Sequence, residues 1–144
     1  MADALAHGAE ILAGGRRPDG ADFAKGHFYL PTVLRGVTPT ARMWSEEVFG
    51  PVLPLYRVKT LDEAIERAND SIYGLGSSLW TRDLDTATRA AERLEAGYTW
   101  INSVTKIYDE LPFGGFKQSG LGQEHGMEAV ECYQQTKSVV VAAG

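Results

Sequence analysis

Val52-Leu53-Pro54-Leu55-Tyr56-Arg57-Val58 followed by Thr60-Leu61-Asp62-Glu63-Ala64-Ile65-Glu66-Arg67-Ala68 reads as a strand running into a helix. The first segment is an apolar run of strand length. The second opens with a capping box, in which the Thr60 hydroxyl and the Glu63 carboxylate each meet an orphan backbone donor. Leu61, Ala64, Ile65 and Ala68 then recur at i, i+3, i+4 and i+7, one apolar stripe of a helix. Gly74 and Gly76 break the chain before a second strand, Ser77-Ser78-Leu79-Trp80. Asp83 is the N-cap of a second helix, with Leu84, Ala87, Ala91 and Leu94 on its expected buried face. Gly97 stops that helix, and Tyr98-Thr99-Trp100-Ile101 is a third strand. Strand, helix, strand, helix, strand implies crossover connections and a parallel sheet. The fold class is therefore α/β with a parallel βαβαβ core. Ligands in such sheets bind beyond the carboxyl ends of the strands, and the segment from Asn102 to Phe113 starts at one of those ends.

Working outward towards the N-terminus, Glu46-Glu47-Val48-Phe49-Gly50-Pro51 leads directly into the first of these strands. A loop that ends on a strand can hold side chains still at a ligand site. A carboxylate there can accept hydrogen bonds from sugar hydroxyls, and a flat ring can pack on a flat heterocycle. Acidic turns are also common on solvated surfaces, and residue chemistry alone favours that plainer reading. Before the motif, Met1 to His7 reads as the end of a helix with Gly8 as its stop, and Glu10 to Ala13 as a short strand. Phe28 to Val37 is β-rich but interrupted by Pro31, which suits an edge strand or irregular ribbon. Thr38 to Ser45 holds one helical turn at most.

On the C-terminal side, Gly114-Gly115 and Gly120-Leu121-Gly122 lack the Gly-Lys-Ser/Thr ending of a phosphate loop, so they read as sharp turns. Gln123 to Cys132 is a short helix, and Tyr133 to Val141 is a terminal strand ending in Val139-Val140-Val141. His7, His27 and His125 show no metal-ligand spacing with one another or with Cys132, so no metal site is expected. His125 and Cys132 are two helical turns apart, roughly 10 Å, too far for direct proton transfer, and Cys132 reads as a packing residue.

Composition is that of an ordinary globular domain: 144 residues, 44% hydrophobic, 23% charged, with a formal charge of −5. The mild acidity argues against nucleic acid and anionic membrane as partners. A single cysteine excludes an internal disulfide and fits a reducing compartment, so a cytoplasmic location is expected. No apolar run is long enough to span a bilayer, and the first residues do not resemble a signal peptide.

Glu46 to Val52, Asn69 to Leu75, Gly97 to Asn102 and Pro112 to Gly120 occur in the order and at the separations of signatures of the NAD(P)-dependent aldehyde dehydrogenase superfamily, which the chain resembles over nearly its whole length. The resemblance is to the last part of a family chain. It implies that residues 1–131 are the C-terminal portion of a catalytic domain and residues 132–144 a terminal strand that pairs subunits into a homo-oligomer. It implies NAD or NADP as cofactor, with NAD favoured, and a small aldehyde as substrate. In the family an aldehyde is attacked by a cysteine thiolate, hydride passes to NAD(P)+, and a glutamate base assists hydrolysis of the thioester. By the same resemblance Glu47 meets the nicotinamide ribose hydroxyls and Phe49 lies near the nicotinamide end. The loop Ser103 to Leu111, with Thr105 and Ile107, and the ring of Phe113 match the wall of the aldehyde tunnel, and Asn102 matches a position next to it. The family's nucleophile, base and glycine-rich dinucleotide segment match nothing here and would precede Met1, so no catalytic residue is expected and the chain alone should be inactive. A noncatalytic oligomerising module, and a fragment completed by a separate chain, are the alternative readings.

Overall fold

The computed structural model describes residues 1–144 as two compact units, Met1–Val58 and Lys59–Gly144. In the first unit, helix α1 (Ala2–Ala6) ends at Gly8, whose φ of +91° is the left-handed conformation that glycine adopts without penalty. Strand β1 (Glu10–Ala13) runs antiparallel to β2 (Thr32–Arg35), and β2 runs parallel to β3 (Val52–Leu55), in the order β1-β2-β3. The segment expected at a sheet edge is thus the central strand. Pro31 is compatible with that place because it precedes the first ladder residue, so its missing N–H lies outside the ladder. Pro54 does lie within a strand, and β3 is the end strand of its sheet.

The core of this unit gathers around Leu34, which is fully buried with Ala4, Ala9, Val37 and Ala41 about it. Buried Thr32 is satisfied on both sides: its hydroxyl accepts from Gly15 N–H at 2.7 Å and donates to the Leu30 carbonyl at 2.8 Å. Helix α2 (Arg42–Ser45) is the single turn expected, and its first N–H donates to the Asp3 carboxylate at 2.7 Å.

In the second unit α3 (Leu61–Asn69) starts as its capping box dictates. Glu63 N–H donates to the Thr60 hydroxyl at 3.1 Å, while the Glu63 carboxylate accepts from Lys59 N–H, one residue earlier than the usual reciprocal bond. Short β4 (Tyr73–Gly74) pairs antiparallel with β7 (Phe116–Lys117). Strand β5 (Gly76–Leu79) pairs parallel with β6 (Tyr98–Ile101), and α4 (Leu84–Arg93) makes the crossover between them. Asp83 caps α4 by accepting from Thr86 N–H at 2.7 Å. The buried face of α4 is Ala87 and Ala90, not the expected set with Leu84 and Ala91. Leu84 is 78% exposed because it stands in the first turn, ahead of the packed part of the helix.

The α/β class with parallel pairing is present in both units. The ladder partner of β3 is β2 and that of β5 is β6, so the expected βαβαβ run is divided between two sheets. Helix α5 (Gly126–Glu131) is followed by residues without regular structure. The strand expected over Tyr133–Val141 is not formed, because no segment of the chain supplies a ladder for it; Val140 is 92% exposed. No helix is long and apolar enough to cross a membrane.

Candidate functional site

In the first unit the loop between α2 and β3 carries two adjacent carboxylates that differ completely in their partners. Glu46 is gripped by Arg42, four residues earlier, through Nε at 2.9 Å and Nη2 at 2.8 Å. That hydrogen bond holds the Glu46 carboxyl below the usual carboxylate range and raises Arg42. Glu47 is exposed and has no hydrogen-bond or ionic partner. Phe49, two residues on, is 95% exposed. The backbone beneath them is held: Gly50 N–H donates to Val48 O, Val52 N–H to Gly50 O, and Thr32 N–H to Pro51 O at 2.8 Å. A depression of about 240 Å³ beside the loop is bordered by Arg42, Met43, Glu47 and Val48. An anchored loop thus presents one carboxylate without a partner and one uncovered ring.

In the second unit the carboxyl ends of β5 and β6 are joined by Asn102. Its φ is +54°, a conformation asparagine tolerates better than most residues. Its amide accepts from Thr81 N–H and donates to Thr81 O, both at 2.8 Å, and its own N–H donates to Leu79 O. Both ends of the side chain are therefore committed to backbone, and Asn102 acts as a clasp. The loop that follows is tied back by Trp100, whose Nε1 donates to Lys106 O at 2.7 Å. Thr105 sits at φ +58° and is exposed, as is Ile107. Phe113 is half-buried, its ring 5.6 Å from that of Tyr98, which in turn lies 4.7 Å from Trp100.

A cleft of about 460 Å³ is lined by Tyr98, Trp100, Ser103, Lys106, Tyr108 and Leu111. The Lys106 ammonium lies 4.6 Å from the centre of the Tyr108 ring. Phe113 borders a separate depression of about 370 Å³ with Leu121, Gln123 and Cys132. Of the residues read from the sequence, Thr105 and Ile107 share one exposed loop, while Asn102 and Phe113 are held at its two ends. Lys106 and Tyr108 belong to the loop read from the sequence, but the sequence does not show which of its side chains line the cleft. Cys132 is exposed, with no acid or base hydrogen-bonded to its thiol. No group of histidine, cysteine and carboxylate side chains has the makings of a metal site.

The profile of the aldehyde dehydrogenase family matches residues 1–139. The chain belongs to that family. It is 45% identical over 137 residues to betaine aldehyde dehydrogenase of Mesorhizobium japonicum, covering 95% of this chain and 28% of that enzyme. It is 51% identical over 122 residues to succinate-semialdehyde dehydrogenase [NADP(+)] of Deinococcus radiodurans, covering 85% of this chain and 25% of that one. Among solved structures it matches betaine aldehyde dehydrogenase of Staphylococcus aureus in complex with NAD+, with a TM-score of 0.87 and 44% identity, over 92% of this chain and 26% of that one. The chain therefore spans about a quarter of these aldehyde dehydrogenases, and its α/β architecture is theirs over that span.

Proposed function

We propose that these residues form the C-terminal part of an enzyme that oxidises aldehydes to carboxylic acids with NAD(P)+, and that their share of the work is positioning. The observation that carries this reading is the division of labour between Glu46 and Glu47. Arg42 takes the first carboxylate and leaves the second free on an anchored loop, where it can accept from both hydroxyls of a ribose. The cofactor accepts hydride when bound. Glu47 orients its ribose, Phe49 covers the nicotinamide end, and the loop carrying Thr105 and Ile107, with Asn102 and Phe113 at its ends, guides the aldehyde. The thiolate and the glutamate base of the family belong to segments these residues do not match, and Cys132 has no base to activate it. NAD+ is the cofactor taken here, supported by the S. aureus complex, whereas the D. radiodurans relative is named for NADP+. Titrating both cofactors against the enzyme tests that choice. A second copy of the chain is the proposed partner of residues 133–141. A cytoplasmic location goes with this reading, supported by the free thiol of Cys132.

In an enzyme of full family length carrying these residues, Glu47→Gln should slow single-turnover hydride transfer about tenfold or more, since a nicotinamide held out of line loses its near-attack geometry. Glu46→Gln should leave that step within about twofold, as a surface pair contributes little. Equal rates for wild type and Glu47→Gln would remove Glu47 from the site. The 144 residues alone should give no aldehyde-dependent reduction of NAD+ or NADP+ above a protein-free blank. They should bind NAD+ more weakly than about 1 mM, because two side-chain contacts do not offset the lost freedom of a large ligand. Micromolar affinity by calorimetry would contradict this.

A further inference from the structure

We propose that His125 and Asp109 form a positioning pair that sets the shape of the loop carrying Thr105 and Ile107, and through it the choice of aldehyde. The proposal rests on that loop being part of the aldehyde route. The His125 Nδ1 lies 3.0 Å from Asp109 Oδ1. A carboxylate only accepts, so Nδ1 carries the hydrogen and donates it. The residue after His125 is tied to Asp109 through backbone, Gly126 N–H donating to Asp109 O at 2.9 Å. Next to them, Phe113 and Glu124 exchange both backbone hydrogen bonds, at 2.6 and 2.7 Å. His125 stands at φ +59°, which a non-glycine residue keeps only when its surroundings over-determine it.

The far side of the loop is fixed independently by the Asn102 clasp and by Trp100 on Lys106 O. Between these supports no side-chain hydrogen bond holds Thr105 or Ile107. Thr105 is set between the Asn102 clasp and the Lys106 anchor, while Ile107 lies between Lys106 and Asp109 and takes its placement from both. Asp109 is itself 91% exposed at its side chain, so burial does not order it; the imidazole does. His125 and Asp109 act on substrate only through the loop, and neither is a catalytic residue.

The test uses an aldehyde dehydrogenase of full family length carrying these residues. His125→Ala and Asp109→Ala should each raise the KM for aldehyde about fivefold, the scale of one net hydrogen bond. Both kcat and the KM for NAD+ should stay within about twofold, which a general loss of structure would not spare. The double variant should be no worse than either single one, because both remove the same interaction. His125→Asn, whose amide N–H can replace Nδ1–H, should restore the aldehyde KM, and Asp109→Asn, which keeps an acceptor, should behave like wild type. Hydrogen exchange of amides 103–111 should quicken in His125→Ala and recover in His125→Asn. Unchanged exchange in His125→Ala, additive losses in the double variant, or a parallel rise in the KM for NAD+ each overturn the pair. Ile107→Trp separates the two layers of the argument. If it raises the KM of a bulky aldehyde and His125→Ala does not, the pair fails alone. An aldehyde KM indifferent to Ile107→Trp overturns the tunnel reading and the proposal with it.

Discussion

At the scale of single residues, function and fold both turn on which of two similar neighbours has room or a partner. Glu46 and Glu47 are the same side chain, and only the i,i+4 approach of Arg42 distinguishes them. Glycines divide in the same way. A Cβ at Gly97 would land on the carbonyl of Gly114, backbone against backbone, whereas one at Gly50 meets nothing within 4 Å. Gly97→Ala should therefore cost about 3 kcal/mol or more, the upper range for overpacking, because rigid main chain has to move. Gly50→Ala should stay within about 0.5 kcal/mol. Denaturant midpoints of the two variants decide the point, and a Gly97→Ala chain as stable as wild type would show that the two segments separate freely.

At the scale of elements, the helices of the second unit owe their placement to polar groups at their ends. Asn69 bridges Arg93 O and Glu95 N–H, joining the last turn of α3 to the end of α4. The Lys117 ammonium donates to Asn69 O at 2.6 Å and Ser71 O at 3.0 Å, a cation where the carbonyls of α3 point outward. At the other end of α4, hydrogen bonds from Thr86 hold the Asp83 carboxyl below its ordinary value of 3.8. A depressed carboxyl contributes stability that is complete above its unfolded pKa and disappears as pH falls through the folded one. The α4 cap should thus weaken below about pH 4. Asn caps without a charge, so Asp83→Asn should flatten the acid limb of thermal stability between about pH 5 and 2. Parallel acid limbs for the two proteins would mean that Asp83 contributes nothing through its charge.

At the scale of the whole molecule, many large apolar side chains are exposed. Val139, Val140, Val141 and Tyr133 are each exposed by 72% or more, and Leu121 is fully exposed. Exposed apolar segments of β-branched residues favour pairing with a second chain. The 144-residue chain should be at least dimeric, with residues 133–141 in the contact. Two-fold pairing is the expected form, since closed symmetric contacts are the commonest among identical chains. Light scattering on the intact chain and on one ending at Glu131 would measure this. A monomeric intact chain sinks the idea, as does a truncated chain with the same mass at every concentration.

Much of this was legible before any coordinate. The caps at Thr60 and Asp83, the stop at Gly8 and the alternation of strand and helix are local: each depends on groups three or four residues apart, and spacing encodes them directly. The motif words identify the family for the same reason, being short and contiguous. Other features depend on contacts that spacing does not record. The central position of β2 comes from β1 and β3 approaching it from opposite sides. The burial of Ala90 and exposure of Leu84 come from where α4 is packed, and a helical period alone does not choose between adjacent faces. His125 and Asp109 are 16 residues apart and nothing near either one points to the other. Local hydrogen bonding and hydrophobic period determined the elements, the i,i+4 pair left Glu47 free, and contiguous motifs carried the family; that Gly97 lies against the carbonyl of Gly114 and that His125 meets Asp109 were decided by distant segments meeting in space.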